Sequence, residues 1–238
     1  MLKPLTASRR NRILSALSDA DYARLSPELE TVPLVAGTIL QEEGEPMPYV
    51  YFPQTGILSM LAHLEDGDSI EIAAVGNEGM VGVSVSLGAT MSTNQVLTQV
   101  AGVASRLSAR RFKAEFARGG RFTECIALYT NALLASSGQT IACNRFHHLD
   151  ARCARWLRAT HDRVPGDEFV LTHEFLALML GVRRAGVTTA AGALQRAGLI
   201  SYTQGHVRIR DRAGLERAAC ECYAVVRGNV EQVFKIPA

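Results

Sequence analysis

Apolar residues along the 238-residue chain are spaced first as in helices, then as in strands, then as in helices again. Ile13, Leu14 and Leu17, followed by Tyr22 and Leu25, give residues 8–29 a helical lead-in that Pro27 breaks. From Thr31 the period shortens to two, punctuated by Gly37, Gly44, Gly56, Gly67, Gly76, Gly79 and Gly82. This predicts strands at Thr31–Val35, Tyr49–Phe52, Gly56–Leu64, Ser69–Val75, Gln95–Val100 and Gly102–Leu107, the pattern of an antiparallel sandwich or roll. Helical spacing returns over Ser108–Ala117 and from Phe122 to about His148. There Ile126, Tyr129, Leu133, Ser136, Thr140, Cys143 and His147 alternate at three and four residues. That seam is poor in large aliphatics at its centre and faces either the chain's own roll or a second helix.

Leu149–Val164, with Cys153, Trp156 and Leu157 apolar, predicts a further helix, and VPGDEF a loop after it. The stretch from Leu171 to Ile200, LTHEFLALMLGVRRAGVTTAAGALQRAGLI, reads as two short helices joined by a tight turn. Thr172 suits an N-cap, because its hydroxyl can accept an orphaned backbone N–H. Phe175, Leu176, Met179 and Leu180 form an apolar stripe, and Gly181 can take the positive φ of a sharp exit. The second helix, from Arg183 to Ala197, carries Val187, Ala190, Ala191 and Leu194 on one side. Arg184, Thr188 and Gln195 fall on another, with Ala185, Thr189 and Gly192. Such a pair is also a common core αα-hairpin. What distinguishes it is the strand, turn and strand that follow, Leu199–Tyr202 and Val207–Arg210 around Gly205, which together read as a wing. Ala213–Phe234 predicts a closing helix with Leu215, Ala218, Ala219, Cys222, Val225 and Val226 inward.

Composition narrows the class. Hydrophobic content of 47% and charge of 20% describe a globular chain with ample core. No apolar run approaches the roughly 20 residues of a membrane span. Arg9, Arg10, Arg12, Asp19 and Asp21 leave no signal-like apolar stretch, and five cysteines without CxxC spacing fit free thiols in a reducing cytoplasm. The net charge of +2 divides into −2 over residues 1–149 and +4 over residues 150–238. Between Arg24 and Arg106 there is no lysine or arginine but ten acids: Glu28, Glu30, Glu42, Glu43, Glu45, Glu65, Asp66, Asp68, Glu71 and Glu78. A basic second half attracts phosphates that an acidic first half repels.

The helix pair, the Gly181 turn, Arg184 and the LQRAGLIS exit into a wing resemble the DNA-binding domain of the Crp/Fnr transcription regulators. The order VAGTILQEEGEPMPYVYFPQTGILSM resembles the β-roll of cyclic-nucleotide-binding domains, so the resemblance covers nearly the whole chain. It implies an α+β fold: an antiparallel β-roll (double-stranded β-helix) sensor over residues 1–121, a long dimerisation helix over 122–148 and a winged helix-turn-helix over 149–238. It implies a homodimer on double-stranded DNA, with RNA polymerase and an unidentified small-molecule effector as further partners. Arg184 matches the family's base-contacting arginine and can bond guanine bidentately. The family's glutamate one position later is Ala185 here, its second arginine is Thr189, and its capping serine or threonine is Arg183. Thr188 and Thr189 accompany Arg184 as candidate base contacts. Arg183, Thr172, Gln204, His206 and Arg208 are candidate phosphate contacts.

In the family, a Gly-Glu-Leu-Gly turn holds the ribose of a cyclic nucleotide and an Arg-Ser or Arg-Thr pair holds its phosphate. Here GNEGMVG places Met80 at the glutamate, and Ser92-Thr93 replaces the arginine pair. Burying a phosphate without countercharge costs several kcal/mol. A degenerate cavity is therefore expected near Gly79, Met80, Gly82, Ser92, Thr93 and Ser137, with no cofactor and no cyclic AMP held in the family's manner. An iron–sulfur cluster needs four thiolates, and residues 1–149 offer only Cys125 and Cys143. Haem through His63, or a metal at His147-His148 across a two-fold axis, is conceivable, but no metal site is expected. The alternative class is a metal-dependent cupin-like enzyme using His63, Glu65 and Glu71. A single histidine in the roll argues against it.

Overall fold

The computed structural model describes residues 9–235, which form two compact units. The first holds residues up to 60, 74–134 and the chain from 229; the second holds 61–73 and 135–228.

The first unit opens with α1 (Arg12–Ser15) and α2 (Asp19–Leu25). Asn11 is fully buried and does two jobs at once. Its Oδ1 caps α1 by accepting from Ile13 N and Leu14 N, and its Nδ2 donates to Pro53 O at 2.9 Å and Gly79 O at 2.7 Å. The strands are β1 (Glu30–Leu34), β2 (Ile39–Gln41), β3 (Tyr49–His63), β4 (Ser69–Val75) and β5 (Gln95–Ser108). They pair in the order β1-β5-β3-β4, with β2 also on β5; β2 is a strand that the sequence pattern did not single out. β1 and β5 run antiparallel from Glu30↔Arg106 to Leu34↔Gly102.

The four strands expected between Tyr49 and Leu64 and between Gln95 and Leu107 are two long ones. Each bends at a glycine instead of ending there. A Cβ on Gly56 (φ 81°) would stand 2.5 Å from Val100 O, and one on Gly102 would stand 2.3 Å from Thr55 O. Two backbones press together at that point, which only glycine allows. One apolar cluster, including Tyr51, Leu58, Val81, Val96 and Ala104, lies among the strands. A second joins Ile13, Phe52, Met80 and Leu107 to α3 (Ala109–Ala117), through Phe112, and to the first half of α4 (Gly120–Phe146).

Helix α4 has the expected length, and of the two directions left open for its seam, the seam faces inward. Ile126 and Tyr129 are buried in the core of the first unit, while Ser136 and Cys143 are buried in the second. The exposed stripe is the neighbouring one: Ala127, Asn131, Leu134, Gly138, Ile141 and Arg145. Leu134 is 66% and Ile141 72% exposed.

The second unit contains α5 (Leu149–His161), β6 (Glu168–Val170), α6 (His173–Leu180), α7 (Arg184–Arg196), β7 (Ile200–Thr203), β8 (His206–Ile209), α8 (Arg212–Ala218) and the start of α9 (Cys222–Val233). β6 lies in the segment read as a loop and completes a three-stranded sheet, β6-β8-β7. The single closing helix expected over 213–234 is two helices, because Ala219 turns extended (φ −72°, ψ 152°). Val225, expected inward, is exposed as a result. The tip of the β3–β4 hairpin belongs to this unit. Trp156 Nε1 donates to Glu71 Oε1 at 2.9 Å, and a Cβ on Gly181 would come within 2.6 Å of Ile70 Cδ1.

Arg158, on α5, is 2% exposed. Its guanidinium bonds Asp162 and donates to Glu216 Oε2 on α8 from Nε at 3.1 Å and Nη2 at 2.9 Å, while Tyr223 of α9 lies 4.7 Å from it, ring to cation. Burial alone would raise the Asp162 carboxyl. The bonds from Tyr223 Oη (2.7 Å) and Arg158, with the charges of Arg158 and Arg212, outweigh that and hold it below the usual range. The folded carboxyl thus titrates below its unfolded value near 3.8. Its contribution is complete above that value and is lost as pH falls through the folded one. Asp162→Asn should lower unfolding free energy by about 3 kcal/mol at neutral pH, since it leaves a buried cation short of a partner. It should also flatten the acid limb of stability against pH. Urea titrations at pH 7 and between pH 5 and 3 check both; equal losses at every pH would refute the assignment.

Candidate nucleic-acid interface

The second unit presents the helix pair and the wing on one scaffold. Thr172 is the N-cap of α6, and its Oγ1 accepts Phe175 N at 3.1 Å. The hydroxyl hydrogen is left to act as a donor. Gly181 ends α6 in the left-handed region (φ 61°, ψ 47°), where the N–H groups of Gly181 and Val182 bond Leu178 O and Ala177 O. Arg183 occupies the N-cap of α7 without a side-chain capping bond, as expected where the family has serine or threonine.

The buried side of α7 is the expected one: Val187, Ala190, Ala191 and Leu194. Arg183, Arg184, Ala185, Thr188 and Thr189 are exposed on its first turns. Arg184 Nε stands 3.0 Å from Glu174 Oε1. Both side chains are well exposed, so this pair contributes little and yields readily to a stronger anion. The Thr188 and Thr189 hydroxyls each donate to the carbonyl four residues back, Arg184 O and Ala185 O, at 3.1 Å. Thr188 Oγ1 also lies 3.0 Å from His173 Nδ1. Gln195 is exposed, as expected of the outward face, and also serves as a tie: its Oε1 accepts Tyr202 N at 2.7 Å and fastens α7 to the wing.

The wing is built by β7 and β8, paired from Ile200↔Ile209 to Thr203↔His206. Gln204 and Gly205 make its turn with φ of 48° and 80°. Leu171 N donates to Gly205 O at 2.7 Å, and Tyr202 Oη donates to Leu171 O, so the wing is tied to the entry of α6. Burial, with Glu174 and Cys153 nearby, pushes the Tyr202 hydroxyl up to about 12, so it is a neutral donor. Arg208 and His206, both exposed, face Glu168 on β6: Arg208 Nη2 at 2.6 Å and His206 Nδ1 at 3.6 Å. The Arg208 bond, then its charge, holds the Glu168 carboxyl below its ordinary value. Glu168 partners two candidate phosphate contacts, and its location on a strand was the part missed in the sequence; the apolar run Phe169-Val170-Leu171 directly after GDE was the available signal.

Of the candidate effector residues, Gly79, Met80, Gly82, Ser92 and Thr93 belong to the first unit. Met80 is fully buried among the core that reaches α3 and α4, and Tyr129 Oη donates to Met80 O at 3.1 Å. A Cβ on Gly79 would meet that same hydroxyl at 2.3 Å, while Gly82 (φ 87°) lies against Val50. The side chain directed into the strand cluster is Val81. Ser92 Oγ donates to Asn94 O at 2.7 Å, and Thr93 is exposed beside it. Ser137 lies on α4 in the second unit. Polar side chains buried in the roll include two neutral pairs, Ser59 with Gln99 at 2.9 Å and Gln54 with Ser105 at 2.8 Å. His63 Nδ1 is bonded to Ser69 Oγ at 2.6 Å; among the described residues it does not converge with Glu65 and Glu71 into a ligand set.

Comparison with known proteins agrees with this architecture. Residues 31–118 match the model of a cyclic nucleotide-binding domain, and residues 151–218 match that of a Crp-like helix-turn-helix domain. No curated protein matches the chain. Among solved structures, FixK2 from Bradyrhizobium japonicum is 15% identical with a TM-score of 0.69, over 81% of this chain and 98% of its own. A Crp/Fnr-family regulator from Eubacterium rectale is 22% identical with a TM-score of 0.64, over 88% and 98%. Another from Thermus thermophilus is 22% identical with a TM-score of 0.62, over 80% and 98%. At these identities the structures speak for the fold, and the two domain models in this order supply the rest: the chain belongs to the Crp/Fnr family of transcription regulators.

Proposed function

We propose that the chain works as a homodimer that reads a two-fold-related DNA site with α7 and responds to an effector other than a cyclic nucleotide held in the family's manner. The observation that carries the reading is the exposed first turns of α7, with Arg184 one turn before Thr188 and Thr189, above an apolar face closed against its own unit. An arginine there offers two parallel donors to guanine O6 and N7, and the short side chains beside it let the helix approach the base edges. Arg183, at the helix N-terminus, and Arg208, Gln204 and His206, on the wing, suit phosphates. No reaction is assigned to the chain in this reading.

The dimer is proposed to form through the exposed stripe of α4. Ala127, Asn131, Leu134, Gly138, Ile141 and Arg145 alternate at four and three residues, the spacing of a coiled-coil seam, and Gly138 allows close approach at its centre. The effector reading rests on charge. Met80 is packed into the core and Ser92 is bonded to its own turn, so neither supplies a ribose or phosphate partner.

Replacing Arg184 with alanine should cost about 1–3 kcal/mol at the specific operator and little on random DNA. Replacing Arg208 should weaken both alike and reduce the salt slope by about one. Binding measured on operator and scrambled duplexes at several salt concentrations separates these; equal losses for Arg184→Ala on both DNAs would make it a phosphate clamp. Leu134→Glu combined with Ile141→Glu should give a folded monomer that protects no pair of half-sites about 34 Å apart. Sedimentation showing an intact dimer would remove α4 as the interface. Millimolar cyclic AMP or cyclic GMP should change neither melting temperature nor operator affinity, and stoichiometric micromolar binding in calorimetry would contradict this.

A further inference from the structure

Four ligating atoms converge in the second unit, away from α7 and the wing in sequence: Cys143, Cys220 and Cys222 Sγ and a ring nitrogen of His147 all lie within 4.8 Å of one another. Two local devices bring them there. Cys143 is on the last turn of α4, and His147, the residue just past its end, keeps the helical bond from its N–H to Cys143 O at 3.1 Å, so the two side chains point to one side. The break between α8 and α9 at Ala219 turns the chain so that Cys220 and Cys222 face the same point. All three thiols are buried, and His147 is the half-exposed member.

The spacings suit a small tetrahedral centre. With Zn–S near 2.3 Å and Zn–N near 2.0–2.1 Å, neighbouring ligand atoms stand about 3.8 Å (S to S) or 3.6 Å (S to N) apart. Cys143 Sγ and Cys220 Sγ are 3.5 Å apart, and Cys222 Sγ is 3.5 Å from His147 Nδ1. The imidazole's other nitrogen, Nε2, lies 3.1 Å from Glu221 Oε1. This is the outer carboxylate that metal-bound histidines use to fix tautomer and ring orientation. Gln139, one turn before Cys143, donates to Cys222 Sγ at 3.0 Å. A disulfide between Cys143 and Cys220 would explain one of these distances and leave His147, Glu221 and Cys222 without a purpose.

We propose that Cys143, His147, Cys220 and Cys222 form a site for one thiophilic divalent cation per chain, zinc by ligand type, which clips the end of α4 to the α8–α9 turn. Three thiolates and a neutral imidazole close the coordination sphere, so the site is structural and offers no open position for catalysis. Without a metal, burial raises the Cys143 thiol and raises Cys220 to about 12, so both are neutral thiols. Binding releases three thiol protons to solvent and leaves a centre of net charge −1, to which Arg152 and Arg155 are electrostatic neighbours. The clip closes a loop of 77 residues that includes the helix pair and the wing, so it stiffens the DNA-reading unit.

The test uses the full chain purified under reducing conditions. Metal analysis should find about one zinc per chain. After chelation, titrated Co²⁺ should give tetrahedral ligand-field bands with thiolate charge-transfer absorption, and Zn²⁺ should displace it and raise the melting temperature. Glu221→Gln should weaken Zn²⁺ binding about tenfold while the chain stays folded. Cys222→Ser should abolish the charge-transfer signature, and Cys153→Ser, a buried thiol outside the group, should leave it intact. A wild-type chain that takes up neither ion at micromolar concentration overturns the proposal, as does a mass two protons short from a Cys143–Cys220 disulfide in the purified protein. The spectroscopic readout on wild type decides the matter even if a variant fails to fold.

Discussion

A guanidinium that is 2% exposed cannot stand in a protein interior without countercharges, and Arg158 draws the second unit together to obtain them. Asp162 comes from the end of its own helix, Glu216 from α8 and the Tyr223 ring from α9. Arg212, at the start of α8, shares Asp162 at 2.7 Å. The same helix α5 gives Cys153 and Leu157 to the apolar core, so one element fixes both the hydrophobic and the ionic register. A buried ion pair is poor evidence of net stability, because desolvation offsets much of the attraction. Its value lies in geometry: α5, α8 and α9 have one arrangement that satisfies the charge.

The helices and strands that the sequence displayed well are those with strong local signals. Thr172, Gly181 and the four apolar residues of α7 determined the helix pair, and the structure places them as their spacing requires. The winged region was legible for the same reason, save β6, three residues long and paired only at its β8 edge. What failed were readings that needed tertiary knowledge. Gly56 and Gly102 look like strand terminators, yet each is a bend forced by the other strand's backbone, which no local pattern contains. On α4, spacing alone left the seam through Ser136 and Cys143 facing either its own roll or a second helix, and only tertiary packing shows that these are buried while Leu134 and Ile141 are exposed.

The candidate sites divide in the same way. Arg184 could be placed because a helix periodicity and a turn fix its direction. The bond of Gln195 to Tyr202 and the strand position of Glu168 could not, since each is defined by a partner across the wing. The Cys/His group shows the limit most plainly. Cys143-x3-His147 and Cys220-x-Cys222 are short patterns that mean nothing singly, and a continuous helix through 213–234 would have put Cys220 and Cys222 on different faces. The departure of one residue, Ala219, from helical backbone is what brings them to one point.

The β3–β4 hairpin carries residues of both units on continuous strands, with Ile70 against Gly181 and Glu71 bonded to Trp156. Adjacent strand residues point to opposite faces, so a shift of β4 by one position would exchange every side chain between them. Glu71 would then lose Trp156, and the methyl groups that lie beside Gly181 would be replaced by a carboxylate or a hydroxyl. The tolerance of this chain to length change is therefore uneven. Residues added or lost in the acidic tip, Glu65 to Asp68, alter only the solvent-facing turn. A single deletion within Ser69–Val75 inverts the strand, and with it the surface on which the helix pair rests.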